Sequence, residues 1–491
     1  MIINIGFNRF NFFGTLILIL ALFFSICGCT PVPTHPQLTV EKPKKTRSGS
    51  YLISDLKDLS QLKWWLKIHD PNLTNLIKEA LANSNDIKIA EAHVLEAKAQ
   101  LRQAQYTWLP TLGVNANGFA GYGFDTKINP EGALAATNLF SKNQNVRFKG
   151  YYSGFMPNYS LNILANLNNT KLTKASLELE RASYLATRLS IIGQVSGSYF
   201  MMVGQKAQLN EQRQLVNDLK ELRKLEYIRY KKGASDLSII TSIDQKTDNN
   251  QASLLTIKNS ISQVENTIKL LINKNPGPIK YYNNLNKISI NGLIVANIPS
   301  SVIENRPDFI IAKQNLIMSE ANIGLAYSNF FPNISLTGLL GGASLELTHL
   351  LNISTGLFTA EAAASMPLLN GNLYEGINVA KAQNNEAFYN YIKSLRSIFA
   401  DIDNNLTNQQ LINAIYKNKL SAFKATKKSY FLVKSRFKAG AIDKRDLVNA
   451  KINLDSAKID LIIAKMQQLD SIVQVYQALA GGIRSNLSYD R

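Results

Sequence analysis

DIKIAEAHVLEAKAQLRQAQYTWLP (Asp86–Pro110) and DFIIAKQNLIMSEANIGLAYSNFFP (Asp308–Pro332) align without a gap, and their pairing decides the fold. Asp86/Asp308, Ile89/Ile311, Ala90/Ala312, Ala99/Ala321, Ala104/Ala326 and Pro110/Pro332 are identical. A second echo follows downstream, where RYKKGASD (Arg229–Asp236) returns as RFKAGAID (Arg436–Asp443). The chain is therefore an internal duplication. Each half reads in the same order: a helix, a prolyl break, short alternating strands, then very long helices about a glycine turn. That order is the plan of a tube and points to transport.

The first helix opens at Asp70-Pro71 with Leu73, Leu76, Ile77, Ala80 and Leu81 at helical spacing. It is expected to run on through Ala90, Ala97 and Ala104 until Pro110 stops it, and Pro332 is the matching helix-to-strand break in the second half. Beyond Pro110, Leu112, Val114, Ala116, Ala120, Tyr122 and Phe124 alternate with Gly113, Asn115, Asn117 and Asp125, a strand with one apolar and one polar face. A return strand carries Tyr151, Phe155, Tyr159 and Leu161 on one side. The second half repeats the pattern with Ile334, Leu336, Gly338 and Leu340, then Phe358, Ala360, Ala362, Ala364 and Met366. The strands are expected at about 110–125, 147–163, 332–345 and 355–368, each long enough to cross a bilayer when tilted. A soluble hairpin packed on helices is the alternative. Four strands cannot close a barrel, and open edges in hydrocarbon leave backbone groups unpaired. Several chains must pool them, and three would give twelve.

From about Asn169 to Lys231 there is no proline, and Leu185, Leu189, Ile192, Tyr199 and Val203 keep spacings of four and three. Some 60 residues of helix reach ~90 Å. A partner helix returns from Gly233 over roughly Ser235 to Asn273, and Glu375–Phe437 and Asp443–Leu479 do the same about Gly440. Both glycines suit the left-handed position past a helix end. A fibrous coiled coil would leave the alternating strands unexplained.

Apolar residues are 45% of the 491, and 54 Lys+Arg over 35 Asp+Glu give a net charge of +19. The basic residues are dispersed along helices, as solvated faces are, and this speaks against a nucleic-acid footprint. Four scattered histidines and two cysteines make no metal cluster, and no cofactor motif or constellation of nucleophile, base and orienting acid is seen. At the N-terminus, Arg9 precedes an apolar run from Phe12 to Ile26 and then Cys27-Gly28-Cys29-Thr30. The run is short for a spanning helix and suits an export signal. Gly28-Cys29 resembles a bacterial lipobox, with Cys29 the lipidated residue; Cys27 departs from the usual small residue there.

Together these features resemble the TolC-type outer-membrane factors, in their lipoprotein branch of tripartite efflux systems (the NodT-like group). The resemblance rests on Cys29, Trp64-Trp65, Asp70-Pro71-Asn72-Leu73, Arg306-Pro307-Asp308, Ala321-Asn322-Ile323-Gly324, Phe330-Phe331-Pro332, Pro367-Leu368-Leu369-Asn370-Gly371 and Tyr476-Gln477-Ala478-Leu479-Ala480-Gly481-Gly482. It implies a mainly α, duplicated fold that trimerises into a 12-stranded outer-membrane β-barrel and a 12-helix periplasmic α-barrel. It also implies a Gram-negative outer-membrane location, a periplasmic adaptor, an inner-membrane pump and passive conduction. The organisation expected is 1–28 signal peptide, 29–60 extended lead, 61–283 first repeat, 284–299 linker, 300–484 second repeat and 485–491 tail. The family's periplasmic gate, a leucine and an aspartate, falls here on Arg445 and Asn449 when aligned from Gly440. Three arginines about one axis would repel unless Asp443 or Asp446 lies close.

Overall fold

The computed structural model describes residues 51–53, 62–123, 146–281, 285, 288, 297–299, 301–350 and 356–482. The expected leader, Cys29, most of the lead, the loop between the first two long strands, most of the linker and the C-terminal tail lie outside the described residues.

One compact unit comprises residues 99–175 and 317–386 of the described chain. Its centre is a four-stranded antiparallel sheet ordered β2-β3-β5-β6, with β2 at Thr111–Gly123, β3 at Val146–Leu161, β5 at Asn333–Ser344 and β6 at Gly356–Ser365. The register puts the four apolar sets on one face. Val114 lies opposite Phe155, Phe155 opposite Leu340, and Leu340 opposite Phe358. Tyr159, Leu336 and Ala362 make a second such row. The other face carries Asn117 and Tyr152, whose side chains hydrogen bond at 3.0 Å, and the Asn158–Thr337–Glu361 row. Because the period is two, a slip of one residue would turn every one of these side chains over.

The other unit holds 51–53, 62–98, 176–316 and 387–482 of the described chain. Short strand β1 (Tyr51–Ile53) pairs in parallel with β4 (Asn297–Pro299). The extended lead and the linker, expected to be irregular, thus meet in a small sheet whose strands are too short to leave a periodicity. Helix α1 spans Pro71–Asn83 and α2 Asn85–Tyr106. The single helix expected from Asp70 to Leu109 is therefore interrupted. Ser84 leaves the helical region at ψ 131 and gives its N–H to the Ala80 carbonyl, in a run (Asn83-Ser84-Asn85-Asp86) whose short polar side chains compete for backbone groups. The prolines lie at the helix-to-strand breaks, a few residues past the helix ends. Helix α2 ends at Tyr106 and α6 (Pro307–Ser328) at Ser328, so Pro110 and Pro332 stand at the strand entrances. The residue before a proline avoids helical dihedrals, which ends the turn ahead of each strand.

The remaining helices are α3 (Ile163–Lys231), α4 (Leu237–Leu271), the short α5 (Ser301–Asn305), α7 (Gly371–Lys438) and α8 (Lys444–Ala478). At 69 residues α3 is about 100 Å long. Among the described residues, no helix is long and apolar enough to cross a membrane. Trp64 stacks on Tyr476 with centroids 5.1 Å apart, and Tyr199 donates to Asp70 at 2.6 Å. The tryptophan pair and the Asp-Pro element that opens α1 are thereby tied to the C-terminal motif and to α3. The Asp70 carboxylate also caps α1, accepting from the N–H groups of Asn72 and Leu73.

Candidate functional site: the charged cluster at the helix turns

The two echoed octapeptides are the turns joining α3 to α4 and α7 to α8. Gly233 and Gly440 have φ of 73° and 72°, a left-handed conformation that suits glycine. In the first turn Ala234 N–H bonds the Arg229 carbonyl and Gly233 N–H the Tyr230 carbonyl; in the second, Ala441 bonds Arg436 and Gly440 bonds Phe437. This is a Schellman closure made twice. Each octapeptide ends on the N-cap of the returning helix, with Asp236 accepting from Ser238 N–H and Asp443 from Asp446 N–H. The motif therefore reads, residue by residue, as a helix stop, a reversal and a helix start.

Around these turns the structure places Arg445, Asp443 and Asp446 together with two further charged residues, Glu226 and Arg229. Arg445 lies 3.9 Å from Asp443, 3.6 Å from Asp446 and 3.6 Å from Glu226. Arg229 joins from α3, at 3.4 Å from Asp443 and 3.8 Å from Glu226. Glu226 is buried and accepts the Ser235 hydroxyl at 2.7 Å. The arginine contacts are wider than good hydrogen bonds, and Nε of both arginines is buried without an acceptor. Arg229 is fixed in addition by an Nη2 hydrogen bond to the Ala234 carbonyl at 3.0 Å, whereas Arg445 is held by shared carboxylates and not by a fixed fork, with little geometric lock. Asn449 is exposed, a turn beyond on α8, and has no part in the cluster. Glu226 was missed because its counterpart in the second repeat is Val433, so the duplication points away from it.

Above the turns, α3 and α8 meet along an apolar seam (Leu215, Leu219, Leu222, Val448, Ile459) flanked by ion pairs. Lys444–Glu221, Lys451–Asp218 and Lys458–Glu211 stand at 2.6, 2.7 and 2.6 Å. Asp455 is buried beside them, and its carboxyl is pushed up to about 7, first by burial and then by the hydrogen bond and charge of Asp218, with Lys451 opposing. The buried Oδ2 atoms of both Asp455 and Asp218 lack a hydrogen-bond donor. A proton on Asp455 supplies one. In the native state Asp455 then holds a proton that an unfolded chain releases near its ordinary 3.8. Stability contributed here is full below that value, falls as pH rises toward about 7, and is level beyond, with a slope of at most about 1.4 kcal/mol per pH unit per chain. Thermal unfolding of the native protein between pH 5 and 7.5 should show this fall, and Asp455→Asn, a mimic of the protonated form, should flatten it. Equal pH slopes in the two proteins would contradict the assignment.

A four-stranded sheet apolar on one face, two pairs of long helices and two matching turns thus make up the described chain. The chain belongs to the outer membrane efflux protein family, whose model matches residues 76–274 and 298–481. It is similar to the cation efflux system protein CusC of Escherichia coli strain K12, 24% identical over 473 residues that cover 93% of this chain and 97% of that protein. It is also similar to the solvent efflux pump outer membrane protein SrpC of Pseudomonas putida, 27% identical over 473 residues, covering 93% and 96%. Among solved structures, the Campylobacter jejuni CmeC outer membrane channel superposes with a TM-score of 0.75 at 23% identity, covering 92% of this chain and 95% of that one. The open state of the Neisseria gonorrhoeae MtrE channel gives 0.76 at 24% identity, covering 94% and 100%. The fold is that of the TolC-like channels.

Proposed function

We propose that three copies of this chain form the outer-membrane exit duct of a tripartite efflux system in a Gram-negative bacterium, receiving small molecules from a periplasmic adaptor and an inner-membrane pump. The observation that carries this reading is the apolar face of the sheet. Leu112, Val114, Phe155, Leu340 and Phe358 on that face are 68%, 71%, 52%, 57% and 74% exposed in the single chain. Such a face suits lipid and is costly in water. Strands β2 and β6 are the sheet edges, and edges inside hydrocarbon demand pairing. Pairing β6 of each copy with β2 of the next closes twelve strands, with the polar face inward. Leu368 and Leu369, 85% and 98% exposed where β6 passes into α7, are then covered by the neighbouring subunit. The paired helices of the three chains make the twelve-helix tunnel. The repeats are read as residues 61–283 and 300–484.

No step of catalysis is assigned to the chain, and its duct is passive. The relatives are named for cations and for solvent, cargoes without shared chemistry, which supports a conduit whose selectivity lies in the pump. At the periplasmic end, Arg445 with Asp443, Asp446 and Glu226 forms a charge-paired collar that keeps the resting channel narrow, and adaptor binding separates it. Asn449 stands beyond this collar. In planar bilayers Arg445→Ala and Asp446→Ala should each raise conductance several-fold at low salt. The difference should shrink at 1 M, where the Debye length is about 3 Å. Wild-type conductance and ion selectivity in both variants at both salts would place the gate elsewhere.

The reading includes lipid anchoring through Cys29. After cleavage at Gly28-Cys29, the mature N-terminal peptide should carry a thioether-linked diacylglycerol and an N-acyl chain, since two or more chains anchor stably where one does not. Mass spectrometry of that peptide checks it, and an unmodified Cys29 would refute it.

A further inference from the structure

We infer that Arg436 of each subunit pairs with Asp236 of the partner subunit, closing a ring of ion pairs at the helix turns; the inference rests on the trimeric reading above. The two turns are structural copies, with an arginine two residues before the last helical residue, a left-handed glycine and an N-cap aspartate in each. Within one chain the first copy's arginine reaches the second copy's aspartate, Arg229 Nη1 donating to Asp443 Oδ2 at 3.4 Å. The α3–α4 turn therefore stands beside the α7–α8 turn. In a closed trimer the copies alternate, so each α7–α8 turn also meets the α3–α4 turn of the following subunit. The same reach carries Arg436 to the partner subunit's Asp236.

Charge supports the match. Between Asp403 and Asp443 helix α7 has no acidic residue, while Lys424, Lys427, Lys428, Lys434, Arg436 and Lys438 crowd its end. The start of helix α4 carries Asp236 and Asp248, with Lys246 between them and Asp244 already held by Arg223 of the same chain. Arg436 and Asp236 are both exposed in the single chain, and among the described residues neither forms an ion pair within it. Hydrogen bonds from the Ser238 side chain and backbone hold the Asp236 carboxyl below its ordinary value, so it is charged at neutral pH. An isolated exposed pair stabilises weakly. Three of them at matched positions act mainly to fix which face meets which.

The test uses the full-length channel in outer-membrane fractions. Wild type is first shown to be a trimer by native mass. Arg436→Cys with Asp236→Cys is then treated with a short bismaleimide and run denatured. Covalent dimers and trimers are expected, absent from either single variant. The control pair, Arg229→Cys with Asp443→Cys, should cross-link inside one chain and run as a monomer. Arg436→Asp and Asp236→Arg should each lower the temperature at which the trimer dissociates in detergent, and the double exchange should recover part of the loss seen in Asp236→Arg, the share due to the missing α4 cap remaining. A trimeric wild type whose Arg436→Cys/Asp236→Cys variant yields monomers only, or a double exchange no better than Asp236→Arg alone, overturns the pair and leaves the trimeric reading intact. A monomeric wild type overturns both.

Discussion

Gly341→Val should leave almost no assembled channel in the outer membrane, while Ser335→Ala on the same strand assembles normally. Gly341 and Gly154 face each other across the β3–β5 ladder, which among the described strands is the one seam joining the two repeats within the sheet. A Cβ on Gly341 would stand 2.0 Å from the Ser153 carbonyl oxygen and 2.5 Å from the Gly154 Cα. A Cβ on Gly154 would stand 2.5 Å from the Leu340 carbonyl oxygen. These obstacles are backbone and cannot rotate away, unlike the Phe119 ring that a Cβ on Gly150 would meet. Overpacking costs roughly 1–3 kcal/mol or more per site even where side chains yield. Here relief requires the β3 and β5 backbones to separate, and a trimer incurs the loss three times. The measurement is the heat-modifiable oligomer band from outer-membrane fractions. A wild-type band from Gly341→Val would show that the ladder does not pass where the register places it.

The second large effect belongs to Arg306→Ala. The guanidinium donates twice to Asp308, at 3.0 and 2.7 Å, once to Asp401 at 2.8 Å and once to the Ala478 carbonyl at 2.6 Å. Burial opposes its charge, but the two aspartates outweigh burial and hold the guanidinium above its ordinary value. One side chain thereby clamps the start of α6, the middle of α7 and the C-terminal end of α8 over a buried cluster of Val302, Ile303, Ile398, Ile402 and Leu479. The Ala478 carbonyl lies at the negative end of α8, which favours a cation. Truncation removes the donor and leaves two carboxylates without their shared cation, at roughly 2–4 kcal/mol. Asp308 and Asp401 are about half exposed, which keeps the cost at the lower part of that range. Arg306→Lys keeps the charge but loses the four-way geometry, so it should fall between. Thermal unfolding of the solubilised channel measures both. Equal midpoints for Arg306→Ala and wild type would contradict the clamp.

Legibility from sequence followed the range of the interaction. Gly233 and Gly440 were readable because a left-handed reversal between a helix stop and an aspartate cap is encoded within eight residues. The apolar faces were readable because alternation at Leu112-Val114 and Leu336-Leu340 needs only the strand itself. The Ser84 interruption was not, since the polar run there is a weak local preference beside the apolar spacing that continues across it. Arg306-Pro307-Asp308 stood out only by resemblance. Its partners Asp401 and Ala478 lie 95 and 172 residues away, and nothing local announces them. Glu226 was hidden for a related reason: its value lies in meeting Arg445 from another helix, a contact that the duplication itself does not repeat.

The central claim is that one chain supplies a third of a closed channel. Native mass spectrometry of the protein released intact from outer membranes tests it most directly. The account requires a species of three chains that survives gentle activation and separates into single chains only on harsher activation or heating. A folded, membrane-extracted species with the mass of one chain would contradict it.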